Sequence, residues 1–188
     1  QAHLDRRRMA LVVGTSVGRR QQGLAGLALA LAAHLGIAGP CLTVGTACCS
    51  STNALGLARD LLRAGWADLV LAGGADALTP EVYAGFHALG VMSPAPCAPF
   101  SEPVGLTLGE GAGFAVLETA SAARARSAPA LARVAGYGLS ADAHHATTPE
   151  PNGAGVARAI TSALVDAGLA PADVGYVNVH GTGTATND

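Results

Sequence analysis

Two short runs of the chain gather residue types that can do chemistry. The first is Gly45-Thr46-Ala47-Cys48-Cys49-Ser50-Ser51, where an apolar stretch gives way to small polar residues. A thiol between a strand and a helix lies at the positive end of the helix dipole, which favours the thiolate and makes it a nucleophile. Backbone N–H groups in such a turn converge, and can hold the oxyanion formed when a thioester is attacked. The second run, Val177-Asn178-Val179-His180-Gly181-Thr182-Gly183-Thr184, brings a histidine into a loop of glycines and threonines. A neutral imidazole there could donate to a thioester carbonyl or accept a proton. Each run also has a plainer reading. Free cysteines commonly fill buried space, and a lone histidine is commonly a hydrogen-bonded structural residue.

Positioning these groups requires strands that end and helices that begin at the right places. Residues 11–15 are apolar and run into Gly14-Thr15-Ser16-Val17-Gly18, the pattern of a strand entering a tight turn. A Leu/Ala-rich helix is expected within residues 23–39 and a second strand at 41–46. Residues 50–64 carry Ala54, Ala58, Leu61 and Leu62 at helical spacing, with Arg59, Asp60 and Arg63 expected to face away, and Ser50, Ser51 and Thr52 suit the first turn. Further strands are expected at 68–72, breaking at Gly73-Gly74, and at 113–118, 131–139 and 175–179. A helix at 153–167 carries Val156, Ile160, Leu164 and Ala167 on one stripe. Strands alternating with helices predict a layered α/β fold with a largely parallel sheet. The Ala/Arg-rich stretch that opens at Thr119 is the candidate linker.

Composition narrows the function classes. The 188 residues are half hydrophobic, 13% charged and carry a formal charge of −2, which suits one globular domain and not a nucleic-acid binder. Arg6, Arg7 and Arg8, with the Arg19, Arg20 pair, form the dense basic patches, but no aromatics interleave them and a solvated face is expected. The apolar stretch before residue 40 is too short for a membrane span and contains His34. Cys41, Cys48, Cys49 and Cys97 lack paired metal-site spacing and no secretory pattern precedes them, so neither zinc nor disulfides are expected, and the expected compartment is the cytoplasm. His144 and His145 point to opposite sides of an extended segment and are expected to be loop residues, not a metal pair. Asp76 is expected to cap nearby backbone in preference to acid/base work.

Together the motifs resemble a known family. Thr46-Ala47-Cys48, Gly73-Gly74-Ala75-Asp76, Pro99-Phe100-Ser101, Gly109-Glu110-Gly111-Ala112-Gly113 and His180-Gly181-Thr182-Gly183-Thr184 stand in the order and approximate spacing of the β-ketoacyl synthases, over nearly the whole chain. The resemblance implies a thiolase-like layered αβαβα fold of two similar halves, here residues 1–118 from the later part of the first half and 131–188 from the start of the second, joined by a linker at 119–130. It implies that Cys48 accepts the acyl group, that His180 is the first of two catalytic histidines, and that Thr182 and Thr184 bind the phosphopantetheine arm, with Thr147 lining the same tunnel. The implied reaction is decarboxylative condensation of an acyl thioester with a malonyl thioester in fatty-acid or polyketide synthesis. The implied partners are an acyl carrier protein and a second subunit in a homodimer or heterodimer. No metal or redox cofactor is implied.

The sequence departs from the family pattern in several places. The second histidine and a later lysine are not present, nor are the opening strands, and the segment between Gly18 and Leu35 is short. Pro99-Phe100-Ser101-Glu102-Pro103 lacks the acidic and arginine residues common after Pro-Phe. The chain by itself is therefore expected to be an inactive fragment. Other readings are a non-catalytic partner subunit, which usually lacks the cysteine, a superfamily enzyme acting on coenzyme A esters, and a cysteine hydrolase.

Overall fold

The apolar run opening at Met9 becomes the central strand of a four-stranded sheet. In the computed structural model, which describes residues 5–18, 23–102, 104–185 and 187–188, the strands are β1 (Met9–Gly14), β2 (Cys41–Val44), β3 (Leu69–Asp76) and β4 (Gly111–Glu118). Their order is β2-β1-β3-β4, with β1 parallel to β2 and β3, and β4 antiparallel to β3. The helices are α1 (Ala25–Leu35), α2 (Ser50–Arg63), α3 (Pro80–Ala88), α4 (Ala120–Ala125) and α5 (Ala154–Ala167). The chain divides into two compact units, Gln1–Ala77 with Glu110–Val134, and Leu78–Gly109 with Ala135–Asp188.

In the first unit β1 is buried on both faces, which is why it reads as a continuous hydrophobic run and not as an alternation. Ala10 and Val12 pack with Ala54, Ala58, Leu61 and Leu62 of α2 and with Val70 and Ala72 of β3. Leu11 and Val13 point the other way, onto Ala28 and Ala32 of α1. The sheet thus has a helix on each side, and period-two alternation along one strand assigns each side chain to one layer. Glycine at the end of α1 has a direct cause: Gly36 takes φ +67° and closes the helix through its N–H to the carbonyls of Ala32 and Ala33.

Three expectations for this unit change. Gly73-Gly74 does not break β3, which continues to Asp76. A Cβ on Gly73 would collide with the Gly113 carbonyl oxygen and lie 2.7 Å from the Phe114 Cα, so glycine here permits tight pairing with β4. Arg59 does not face away: it is 9% exposed, with its guanidinium 3.7 Å from the Asp60 carboxylate. Its long stem can cover apolar surface while the head finds a partner. Within the stretch expected as a linker, α4 forms, capped by the Thr119 hydroxyl accepting from the Ala122 N–H at 3.2 Å and flanked by an Arg126 to Glu118 bond of 2.9 Å.

In the second unit α5 forms where expected, but the expected stripe is not a buried face: Val156 and Ile160 are exposed and Gly155 is the buried residue of the helix. Residues 131–139 and 175–179 pair into no strand among the described residues. An extended segment becomes a strand only with a hydrogen-bonded neighbour. The segment around Gly136 and Gly138 lies along α5 instead, where Cβ atoms would run into the Ala163 and Ala159 carbonyl oxygens. Helix α3 carries a start signal of its own, Thr79-Pro80-Glu81, with the Thr79 hydroxyl accepting from the Val82 N–H at 3.3 Å. No described helix is long and apolar enough to cross a membrane. Of the basic residues, Arg7 bonds Asp5 and Arg8 forms a fork with Asp68, while Arg19 and Arg20 lie outside the described residues.

Candidate active site

The Cys48 turn is built by glycines beneath it and polar side chains around it. Gly14, Gly74 and Gly113 stand side by side on β1, β3 and β4. A Cβ on Gly14 would run into the Ser50 carbonyl and lie 2.5 Å from the Ser51 nitrogen, and one on Gly74 would strike the Ser51 hydroxyl. The missing side chains let the start of α2 rest on the ends of the strands. Between β2 and α2 the chain makes one 3-10 turn, Ala47–Cys49, in which Ala47 adopts φ +54°. This left-handed conformation is unfavourable for a residue with a Cβ and marks a constrained turn immediately before Cys48.

The two adjacent thiols differ in their surroundings. Cys49 Sγ donates to the Thr46 carbonyl at 2.9 Å and lies 3.5 Å from Asn53 Nδ2, whereas Cys48 is exposed and its sulfur has no hydrogen-bond partner among the described residues. Ser50 was expected only as a first-turn residue, yet its Oγ accepts from the Thr46 N–H at 2.8 Å and donates to the Ala47 carbonyl at 2.6 Å. Asn53 Nδ2 donates to Thr46 Oγ1 at 2.8 Å. Neither role was read from the sequence, although a serine and an asparagine in the first turn after the cysteine were the available signal.

Asp76 caps backbone as expected. At the end of β3 it accepts from Thr15 Oγ1 at 2.6 Å, from the Ser16 N–H at 2.9 Å and from the Val17 N–H at 3.4 Å. Partial burial pushes its pKa up, but these hydrogen bonds outweigh burial and hold it below the ordinary aspartate value. Its stabilisation is therefore complete above the unfolded value of about 4 and is lost as pH falls through the lower folded value. We expect Asp76→Ala to cost about 1–3 kcal/mol by stranding the Thr15–Val17 donors. Denaturant melts at pH 7 and at pH 3 measure this, and the gap between variant and parent should narrow at the lower pH.

The remaining sequence-assigned residues belong to the second unit. His180 is exposed in a loop. Gly181 and Gly183 follow it with φ +54° and +72°, conformations that favour glycine, and a Cβ on Gly183 would lie 2.7 Å from the Gly105 oxygen and 2.8 Å from Cys97 Sγ. The loop is braced by three contacts: Cys97 Sγ donates to the Thr182 carbonyl at 3.3 Å, the Gly105 N–H to the Gly183 carbonyl at 2.6 Å, and the Gly183 N–H to Asp188 Oδ1 at 3.1 Å. Asp188 also accepts from the N–H of Phe100 at 2.8 Å, the bond that chiefly lowers its pKa. Phe100 itself has φ +58° and is 64% exposed. Asp188 and Cys97 were missed because their partners lie 88 and 85 positions away, where local pattern carries no signal.

The Thr182 and Thr184 hydroxyls come together at 2.8 Å, and Thr184 borders an open cavity of ≈ 460 Å³ that Phe100, Glu102 and Asp188 also line. Thr147 is exposed outside that cavity, and its N–H and that of Thr148 donate to His145 Nδ1, each at 3.2 Å. His145 is thus a turn residue, and no cluster of three metal-binding side chains occurs among the described residues.

Residues 2–123 match the family described as Beta-ketoacyl synthase, N-terminal domain, and residues 131–188 match Beta-ketoacyl synthase, C-terminal domain. The chain is 45% identical over 187 residues to Nodulation protein E of Rhizobium leguminosarum bv. trifolii, covering 96% of this chain and 46% of that protein. It is 42% identical over 161 residues to 3-oxoacyl-[acyl-carrier-protein] synthase 2 of Staphylococcus aureus, covering 82% of this chain and 40% of that protein. The chain therefore spans less than half the length of these relatives. Among solved structures, the ishigamide ketosynthase/chain length factor aligns with a TM-score of 0.92 at 34% identity, over 98% of this chain and 52% of that one. The fold is accordingly that of the thiolase-like ketosynthases, and with the cysteine turn and the histidine loop set in sequences that match both of the family's domains, the chain belongs to the β-ketoacyl synthase family.

Proposed function

We propose that the protein is a 3-oxoacyl-[acyl-carrier-protein] synthase, an acyltransferase that condenses an acyl thioester with a malonyl carrier-protein thioester in fatty-acid or polyketide synthesis. The observation that carries this reading is the Cys48 turn: an exposed thiol with no hydrogen-bond partner among the described residues follows a left-handed residue at the start of a helix, beside a second thiol that is tied to backbone. The Cys48 thiolate attacks the acyl carbonyl, the carrier's C–S bond breaks, and the carrier leaves as a thiol with the proton Cys48 gave up. In the malonyl thioester the bond to the carboxylate then breaks, carbon dioxide departs and the electron pair becomes an enolate, whose oxygen His180 stabilises. The enolate carbon attacks the acyl-Cys48 carbonyl, the bond to sulfur breaks, and a 3-oxoacyl thioester is released.

Thr182 and Thr184 hydrogen-bond the phosphopantetheine arm in this reading, an assignment supported by their paired hydroxyls beside an open cavity. Thr147 is assigned to the same arm in this reading. The partners are an acyl carrier protein and a second ketosynthase-fold subunit, identical or different, and the compartment is the cytoplasm. The domain boundaries proposed are residues 1–118 and 131–188, with 119–130 between them.

The test is to incubate the full-length protein with acyl and malonyl carrier-protein thioesters and follow 3-oxoacyl product by mass spectrometry. Absence of product from a folded protein overturns the reading. Replacing His180 by alanine should slow malonyl decarboxylation by roughly 10²–10⁴-fold while acylation of Cys48 changes only a few-fold. Equal loss in both partial reactions would assign His180 a structural role.

A further inference from the structure

Ala47 sits at φ +54°, outside the right-handed region an alanine prefers, and something must hold it there. Ser50 spans it. One hydroxyl accepts from the N–H of Thr46 and donates to the carbonyl of Ala47, so a single side chain ties the peptide that precedes Thr46 to the peptide that follows Ala47 and closes a loop around the left-handed residue. Ser50 is 2% exposed, which keeps water from competing for either bond. Asn53, one turn further along α2 and 8% exposed, adds a bond to the Thr46 hydroxyl. The helix beneath them cannot retreat, because Gly14 and Gly74 bring its first turn against the strand ends.

We propose that Ser50, seconded by Asn53, is a positioning residue for acyl transfer: it holds Ala47 left-handed and thereby directs the Cys48 thiol. This rests on Cys48 being the nucleophile. Without the Ser50 hydroxyl, Ala47 relaxes toward right-handed backbone, the peptide before Cys48 rotates, and the sulfur leaves the attacking position. Misplacement of a reacting atom by about 1 Å is enough for a loss of roughly 100-fold.

The full-length protein is acylated with an acyl carrier-protein thioester, and the rate constant and KM of acylation are measured alongside a peptide map of the label. Ser50→Ala should lower the rate constant roughly 10–100-fold with KM nearly unchanged, and Asn53→Ala should do so more weakly. Because glycine adopts positive φ without a steric penalty, Ala47→Gly combined with Ser50→Ala should recover a substantial part of the lost rate. A residue that merely supported the fold would not be rescued this way. Circular dichroism and the unfolding midpoint of each variant show whether it folds, and if Ser50→Ala does not, Ser50→Cys, which retains a weaker donor and acceptor, must give an intermediate rate. Label on Cys48 with an unchanged rate in Ser50→Ala, or a double variant no faster than the single one, overturns the positioning role alone. Label elsewhere in the parent overturns the nucleophile assignment and this role with it.

Discussion

Cys48→Ala is expected to eliminate acyl-enzyme and to lower condensation by roughly four to six orders of magnitude, the scale on which removal of a covalent nucleophile acts. Cys49 should not substitute for it. The Cys49 thiol donates to the Thr46 carbonyl, and reaching a thioester would require giving up that bond and turning away from Asn53. Cys49→Ala is therefore expected to stay within a few-fold of the parent, since it removes one weak thiol hydrogen bond from a turn that Ser50 and Asn53 also fix. The measurement is a peptide map after exposure to an acyl carrier-protein thioester or a thiol-directed inhibitor. Label on Cys49, persisting in Cys48→Ala, would exchange the roles of the two residues.

Gly14→Ala should combine a loss of stability with a loss of activity larger than that stability loss explains. The added methyl group meets the Ser50 carbonyl and the Ser51 nitrogen, which are main-chain atoms and cannot swing aside as a side chain would. Either β1 or the start of α2 must move, and overpacking of this kind costs about 1–3 kcal/mol. The displaced peptide joins Ser51 to Ser50, the residue that holds Ala47, so the thiol should shift with it. Urea unfolding gives the first quantity and the acylation rate at a fully folded temperature gives the second. A variant with normal acylation per folded molecule would show that the close approach serves packing alone.

Local pattern was informative where one element's own residues decide its structure. The helical spacing of Ala54, Ala58, Leu61 and Leu62 specified α2, and the apolar run of residues 11–15 specified β1, because burial of a face or of both faces leaves a periodic trace. The cysteine and histidine motifs were legible for a similar reason, since a helix start and two left-handed glycines demand small residues at fixed positions. Other features depend on distant partners. Gly73-Gly74 resembles a breaker until Gly113 is known to lie against it. Residues 131–139 and 175–179 have strand composition, but strand formation is a property of pairs and no described segment pairs with them. The same holds for Asp188, which accepts from the N–H of Phe100 88 positions away, and for Arg59, whose solvent side could not be told from spacing alone.

Gly14 places main chain against main chain where α2 begins, and Gly74 beside it leaves room for the Ser51 side chain. The height of the reactive turn above the sheet is consequently set by backbone dimensions, which every sequence shares, and not by the girth of any core residue. Substitutions among Ala54, Ala58, Val70 or Leu117 can thicken or thin the layer further along the helix, tilting α2 about a pivot located at Ser50 and Ser51. Motion about a pivot vanishes at the pivot itself. The interior is thus free to drift in evolution, as one side chain replaces another, while the thiol keeps its address.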